Sequence, residues 1–278
     1  MFTLYLTAVW SIVGTMLISP GENRLLIQRE TTMKDLLELD VATANKQLDG
    51  FTVTERISWA VETFGRDAVL LSSMQNSASV LMHCFYRMEL DNEVLFVDTG
   101  YHFRETLQLR DEFMRRYHLS IVTLYPELTP EQQEKKFEKK LYFSRDGQKE
   151  CCRLRKTVPF ITHMKQFGRR LAMVGLRRSE GGRRAKLAPL IQDPRTGGYT
   201  LHPIFDWTDE QIQTYLEKND VPVHPLHKQN YPSIGCECCT TPVEPGEDPR
   251  AGRWRHLASA IDEGPKYCNI NCSDGSGI

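Results

Sequence analysis

Five of the eight cysteines in this 278-residue chain fall into two short groups, Cys151-Cys152 and Cys236-Glu237-Cys238-Cys239. Thiolates are soft donors to zinc and to iron–sulfur clusters, and they are nucleophiles. Tetrahedral zinc sites usually draw on spaced pairs, whereas adjacent thiolates point in different directions and suit one small ion poorly. A cubane offers four separate irons, so neighbouring cysteines can each take one, and four thiolates are the usual complement of [4Fe-4S]. A zinc clasp is the competing reading. Cys238 can either replace a neighbour as ligand or stand by. Cys268 and Cys272 lie in a short polar tail, where a thiol has little to pack against, and read as reactive groups on a mobile segment. Cys84, beside His83 and Phe85 on an apolar helical stretch, reads as core. His202, His224 and His227 have no ligand spacing with the cysteines.

The second chemical signal is charge. The whole chain carries a formal net charge of -1, yet from Cys151 to Lys186 eleven Lys and Arg face one acid, Glu180. Within that stretch Gly175-Leu176-Arg177-Arg178 and Arg183-Arg184 follow an apolar run, with glycines between. Arginine forks match phosphate and sulfate oxygens. A solvated charged face is the bland alternative, and sparse aromatic residues argue against single-stranded nucleic acid. No GxGxxG, GxxxxGK[ST] or HExxH occurs.

These residues need elements to position them. Apolar runs at Ala68–Ser72, Val94–Asp98, Ile121–Leu124 and Leu171–Leu176 alternate with helical patterns at Ser77–Leu90 and Phe103–Tyr117. That alternation predicts an α/β fold with a parallel sheet flanked by helices, and ligands beyond the strands' C-terminal ends. Two helical patterns precede the first strand, with Gly50 and Gly65 where C-terminal caps belong. Thr129, Pro130 and Gln132 mark one helix start, and Thr208 and Gln211 another. Ser72-Ser73-Met74-Gln75-Asn76-Ser77 follows the first strand; it offers backbone N–H groups to an anion, or merely an N-cap at Ser77. Asp98-Thr99-Gly100 reads as a ligand-facing loop at a strand end. After about Pro222 the chain reads as loops over the sheet.

The composition, 40% hydrophobic and 26% charged, excludes collagen-like and disordered classes. Clustered cysteines in a long chain point to a reduced compartment, the cytoplasm. Met1 to Gly21 is uncharged, lacks the basic start of a secretory signal and is diluted by Thr and Ser near the length of about 20 residues that a membrane helix needs. Residues 1–30 are expected to be an extension, unstructured or the product of an early start with Met16 or Met33 as alternatives, rather than an anchor. The body is expected over 31–258 and a mobile tail over 259–278.

Taken in order, these pieces resemble the assimilatory sulfonucleotide reductases, and within them the iron–sulfur branch that acts on adenylyl sulfate. The resemblance spans roughly Asp67 to Cys268. It rests on Ser72-Ser73, Val97-Asp98-Thr99-Gly100, Glu150-Cys151-Cys152-Arg153-Leu154-Arg155-Lys156, Gly175-Leu176-Arg177-Arg178 with Arg184, Ser233-Ile234-Gly235-Cys236-Glu237-Cys238-Cys239, Arg250-Ala251-Gly252-Arg253-Trp254 and a C-terminal cysteine. It implies a Rossmann-like fold of the adenine-nucleotide α-hydrolase (PP-loop) kind. It implies reduction of adenosine 5′-phosphosulfate to sulfite and AMP, with thioredoxin or a similar thiol as donor. By matching position, Cys151, Cys152, Cys236 and Cys239 would bind [4Fe-4S]. Lys156, Arg250 and Arg253 would lie near the phosphosulfate, Ser72, Ser73, Asp98, Gly100, Arg178 and Arg184 would line the nucleotide site, and Cys268 would be the nucleophile. The family usually ends Glu-Cys-Gly-Leu-His, and here the tail reads Tyr267-Cys268-Asn269-Ile270-Asn271. Met74-Gln75-Asn76 likewise replaces the usual Gly-containing loop.

On this reading Cys268 attacks the sulfur and AMP leaves an S-sulfocysteine behind. Cys272 either releases sulfite by attacking that group or is a bystander. The alternatives are a phosphoadenylyl-sulfate reductase, an adenylating enzyme with a related loop, and a zinc-stapled RNA-binding module. A homo-oligomer is compatible with each.

Overall fold

The four apolar runs become parallel strands, β1 (Ala68–Ser72), β2 (Val94–Val97), β3 (Ile121–Leu124) and β4 (Leu171–Val174), in a computed structural model that describes residues 39–260. β1, β2 and β4 are buried along their whole length, which is why they read as unbroken apolar runs rather than alternating ones. β1 pairs with β2 on one side and with β4 on the other, and the full order is β3-β2-β1-β4-β6-β5. The chain thus reverses its direction of travel across the sheet between β1 and β4, and strand ends part there to leave a crevice.

Two strands lie beyond the sequence expectation. β5 (Leu190–Asp193) and β6 (Gly198–Leu201) form a hairpin, with β6 parallel to β4 and β5 antiparallel at the edge. They are short, and β5 ends in Gln192-Asp193; the Pro194-Arg195-Thr196-Gly197 turn between them, with Gly197 at φ 78°, was the available signal. β5 is the edge of the sheet. Its Leu190 N–H and C=O are both satisfied by the side chain of Asn45, on α1 (Val41–Asp49).

Helices cover both faces. α2 (Val53–Phe64) starts in a Thr52/Glu55 capping box and stops at Gly65, whose φ is 56°. α3 (Asn76–Arg87) follows β1, and α4 (Arg104–Tyr117) follows β2. The capping boxes expected at Thr129/Gln132 and Thr208/Gln211 open α5 (Pro130–Phe137) and α8 (Asp209–Lys218). α6 (Arg145–Cys152) runs through a π-helical turn, Arg153–Thr157, into α7 (Val158–Gln166). Phe160 and Met164 of α7 pack on Val69, Leu71, Leu95, Val97, Ala172 and Val174 on one sheet face. The two-residue alternation turns Leu70, Phe96 and Met173 to the other.

The N-terminal extension and the tail with Cys268 and Cys272 lie outside the described residues. Among the described residues no helix is long and apolar enough to cross a membrane.

Candidate functional site

At the crevice between β1 and β4 opens a cavity of about 1380 Å³. That is room for a nucleotide-sized ligand. Ser72, Ser73 and the first residues of α3 form one side, Gly175, Leu176 and Arg177 after β4 the other, and Ser233–Gly235 with Arg250 and Arg253 the rim. α3 does not start as expected: its N-cap is Gln75, with no side-chain cap, and the helix begins at Asn76 rather than after Ser77. Both side chains are committed elsewhere. Gln75 accepts from the Ile234 N–H, and the Ser77 hydroxyl accepts from Arg177 Nε at 3.0 Å.

The cationic wall holds Lys156, Arg177, Arg184, Arg250 and Arg253. Arg177 donates to Asp209 at 2.6 Å and Arg184 to Glu180 at 2.5 Å, so carboxylates hold both forks in place. Ser233 Oγ gathers Arg250 and Arg253, at 3.2 and 3.3 Å. Arg253 is buried, donates also to the Ile234 carbonyl and stacks on Trp254. A Cβ on Gly235 would lie 2.2 Å from Arg253 Nη2, so a side chain there would displace that guanidinium.

Of the residues expected in the nucleotide site, Ser72, Ser73 and Arg184 line this cavity. Asp98, Gly100 and Arg178 do not. Asp98 accepts the Gly100 N–H at 2.9 Å and closes the turn after β2. Gly100 has φ 71°, and a Cβ there would press on Arg155 and Pro130. Arg178 turns away, over the Phe205 ring and onto the Leu187 carbonyl, and its neighbour Arg177 takes the place on the wall. Next to Asp98, Thr99 does reach the cavity. Sequence alone assigned no individual site role to Ser233 or His102, and named Arg177 and Gln75 only within stretches read as anion-binding. His102 lies in the wall, and burial pushes its ring down to about 4, so it is neutral and donates Nε2–H to the Val97 carbonyl.

Beside this cavity lies a small recess lined by Cys151, Cys152, Cys236, Cys238 and Cys239. None of them forms a disulfide among the described residues, and all but Cys238 are buried. Two segments bring them together. Cys151 and Cys152 end α6; the wider π-helical turn that follows places Arg155 and Lys156 toward the recess. Cys236 caps and Cys239 ends a 3-10 turn, Glu237–Cys239, that Tyr101 holds through the Glu237 N–H and Trp254 holds through the Cys239 carbonyl. Leu141, Tyr142, Trp254 and Leu257 supply an apolar jacket. Inside it, Gln148 points an amide donor at Cys152 Sγ at 3.1 Å, Gln133 points one at Cys151 Sγ at 3.6 Å, and the Thr99 hydroxyl lies 3.4 Å from Cys236 Sγ. Burial pushes Cys151 up to about 11, and the Cys238 sulfur, with burial second, raises Cys239.

Lys156 and Arg253 line both spaces. They form a shared cationic partition between the thiol recess and the large cavity. Arg155, 2% exposed, braces that partition. It donates to the carbonyls of Thr99 and Leu128 and to Gln133, and lies 5.0 Å over the Tyr101 ring.

A mostly parallel α/β sheet with an arginine-lined cavity at its switch point is an arrangement suited to an anionic, nucleotide-sized ligand. The sequence pattern described as phosphoadenosine phosphosulfate reductase domain matches residues 67–242, and the chain belongs to that family. An adenosine 5′-phosphosulfate reductase from Mycolicibacterium smegmatis is 41% identical over 82% of this chain and 93% of its own length. One from Halalkalibacterium halodurans is 35% identical over 81% and 96%. Among solved structures, a phosphoadenylyl-sulfate reductase from Candida auris superposes with a TM-score of 0.66 at 22% identity. It covers 73% of this chain and 98% of the other. At that identity the likeness speaks for the fold, and the sheet found here agrees with the expected α/β architecture.

Proposed function

We propose that this chain is an oxidoreductase that reduces adenosine 5′-phosphosulfate to sulfite and AMP, as the names of its relatives at 35 and 41% identity suggest. The observation that carries the reading is the shared partition of Lys156 and Arg253 between a nucleotide-sized cavity and a set of converging thiols. The N-terminal end of α3 and the Ser72-Ser73 turn offer donors to a phosphate, and Arg250, Arg253 and Lys156 offer charge to its sulfated end.

The Cys268 thiolate attacks the sulfur. A sulfur–sulfur bond forms, the sulfur–oxygen bond breaks, and AMP departs with the electron pair. One thiol of a dithiol donor such as thioredoxin then attacks Cys268 Sγ and releases sulfite, and its second thiol opens the resulting mixed disulfide, which frees the Cys268 thiolate and leaves the donor as its disulfide, so two electrons are accounted for. Thiolate and sulfate repel each other, and the cations on the partition offset that repulsion and the charge growing on the leaving phosphate. Exchange with a thiol donor suits a reducing cytoplasm.

Among the described residues no three His, Cys, Asp or Glu side chains are arranged to hold a single metal ion. The four buried thiols around one recess, with amide donors facing Cys151 and Cys152, make a soft donor set. Cys151, Cys152, Cys236 and Cys239 would hold a [4Fe-4S] cluster. Bound there, it would supply a fixed charge beside Lys156 and Arg253 and tie α6 to the 236–239 turn.

The test is sulfite release by anaerobically purified protein with a dithiol donor, comparing adenylyl and phosphoadenylyl sulfate. Strong preference for adenylyl sulfate is expected. Lys156→Ala should lower turnover about 10²–10³-fold, the usual effect of losing one oriented donor of this kind. Preference for the 3′-phosphorylated substrate would refute the substrate, and no sulfite from either would refute the reaction.

A further inference from the structure

The recess holds one thiol more than a four-cornered cluster needs. Cys238 and Cys239 are consecutive on a 3-10 turn, where neighbouring side chains diverge by about a third of a turn. Divergence of that size would carry Cys238 out of the recess. Instead it lines the recess with the other four and its Sγ lies 3.7 Å from Cys239 Sγ. Tyr101 and Tyr142, which pack on the apolar jacket, flank it. The amide donors divide unevenly among the sulfurs. Gln148 serves Cys152 and Gln133 serves Cys151, while the sulfur contact of Cys239 is Cys238 itself.

We propose that Cys238 and Cys239 are interchangeable ligands for one corner of the cluster, so that this iron keeps a thiolate when either sulfur is withdrawn. The proposal rests on the cluster reading given above. Two sulfurs in near contact on one turn can exchange with little backbone movement. The exchange is a ligand substitution: one Fe–S bond breaks as the other forms, the departing thiolate takes a proton and the arriving thiol gives one up. No electron is transferred.

The test uses the full chain, purified anaerobically, with iron and acid-labile sulfide, visible absorption and EPR of the reduced protein as readouts. Cys238→Ala, Cys239→Ala, the double variant and Cys151→Ala are compared. Wild type and both Cys238→Ala and Cys239→Ala should hold about four irons per chain, while the double variant and Cys151→Ala should lose most of them. A Cys239→Ala protein as poor in iron as the double variant overturns the proposal. A wild-type protein without iron and sulfide overturns the cluster reading itself, which separates the two failures. Slow alkylation of wild-type protein followed by peptide mapping requires no folded variant. Label shared between Cys238 and Cys239 supports exchange, and label confined to Cys238 refutes it.

Discussion

Arg253 sits where it does because Gly235 has no side chain. A methyl group there would meet the guanidinium at 2.2 Å from Nη2 and 2.6 Å from Cζ, so the arginine would have to leave its contacts with Ser233 and Ile234 and swing toward the cavity it lines. Gly235→Ala should therefore lower kcat/KM by at least about tenfold, one misplaced charge-assisted contact, while far-UV circular dichroism stays unchanged. Unaltered kinetics would show that Arg253 is not needed at this position. The adjacent arginines after β4 make a second case. Arg177→Ala removes a fork from the cavity wall and should raise KM about tenfold. Arg178→Ala removes a cation stacked on Phe205 and should lower Tm with KM unchanged. The reverse pattern would mean that Arg178, the residue the sequence pointed to, is the one that meets substrate. Sequence alone could not choose, because two consecutive arginines look alike until the backbone direction after β4 is known. Ser233 and Gln75 stayed hidden for a related reason: each acts by holding a partner more than fifteen positions away.

The π-helical turn between α6 and α7 is the element on which the two spaces depend. It follows the Cys151-Cys152 pair directly and carries both Arg155 and Lys156. Arg155 satisfies two carbonyls and Gln133 from a buried position, so Arg155→Met should cost about 1–3 kcal/mol through acceptors left unpaired. Chemical denaturation reads that loss directly. An unchanged midpoint would place the bracing elsewhere. The strands β1 to β4 and the capping boxes of α5 and α8 were legible because apolar runs and Thr-x-x-Gln are local signals. The π-helical turn and the β5–β6 hairpin were not, since neither carries a strong periodicity of its own. Likewise the cysteine spacing suggested a cluster, yet only the packing of Tyr101 and Trp254 on the 236–239 turn explains how two distant segments meet.

For the molecule as a whole, buried histidines link stability to pH. Burial without water to solvate a charge holds His202 and His224 at about 4, against an ordinary 6.5. Between those values the unfolded chain binds more protons than the folded one, so stability is full above about 6.5, falls as pH drops towards 4 and levels below it. Thermal unfolding should give a constant Tm between about pH 7 and 8 and a decline already visible near pH 5.5, above the range where carboxylates titrate. A Tm that stays level down to about pH 4.5 would contradict the burial of these rings. The edge of the sheet has a consequence of another kind. Asn45 meets the outward N–H and C=O of Leu190 with its own amide, doing for β5 what a further strand would do. A chain trimmed beyond α1 would offer that bare ribbon to its own copies, and the outcome would be fibrous or turbid solutions at high concentration rather than a simple loss of activity.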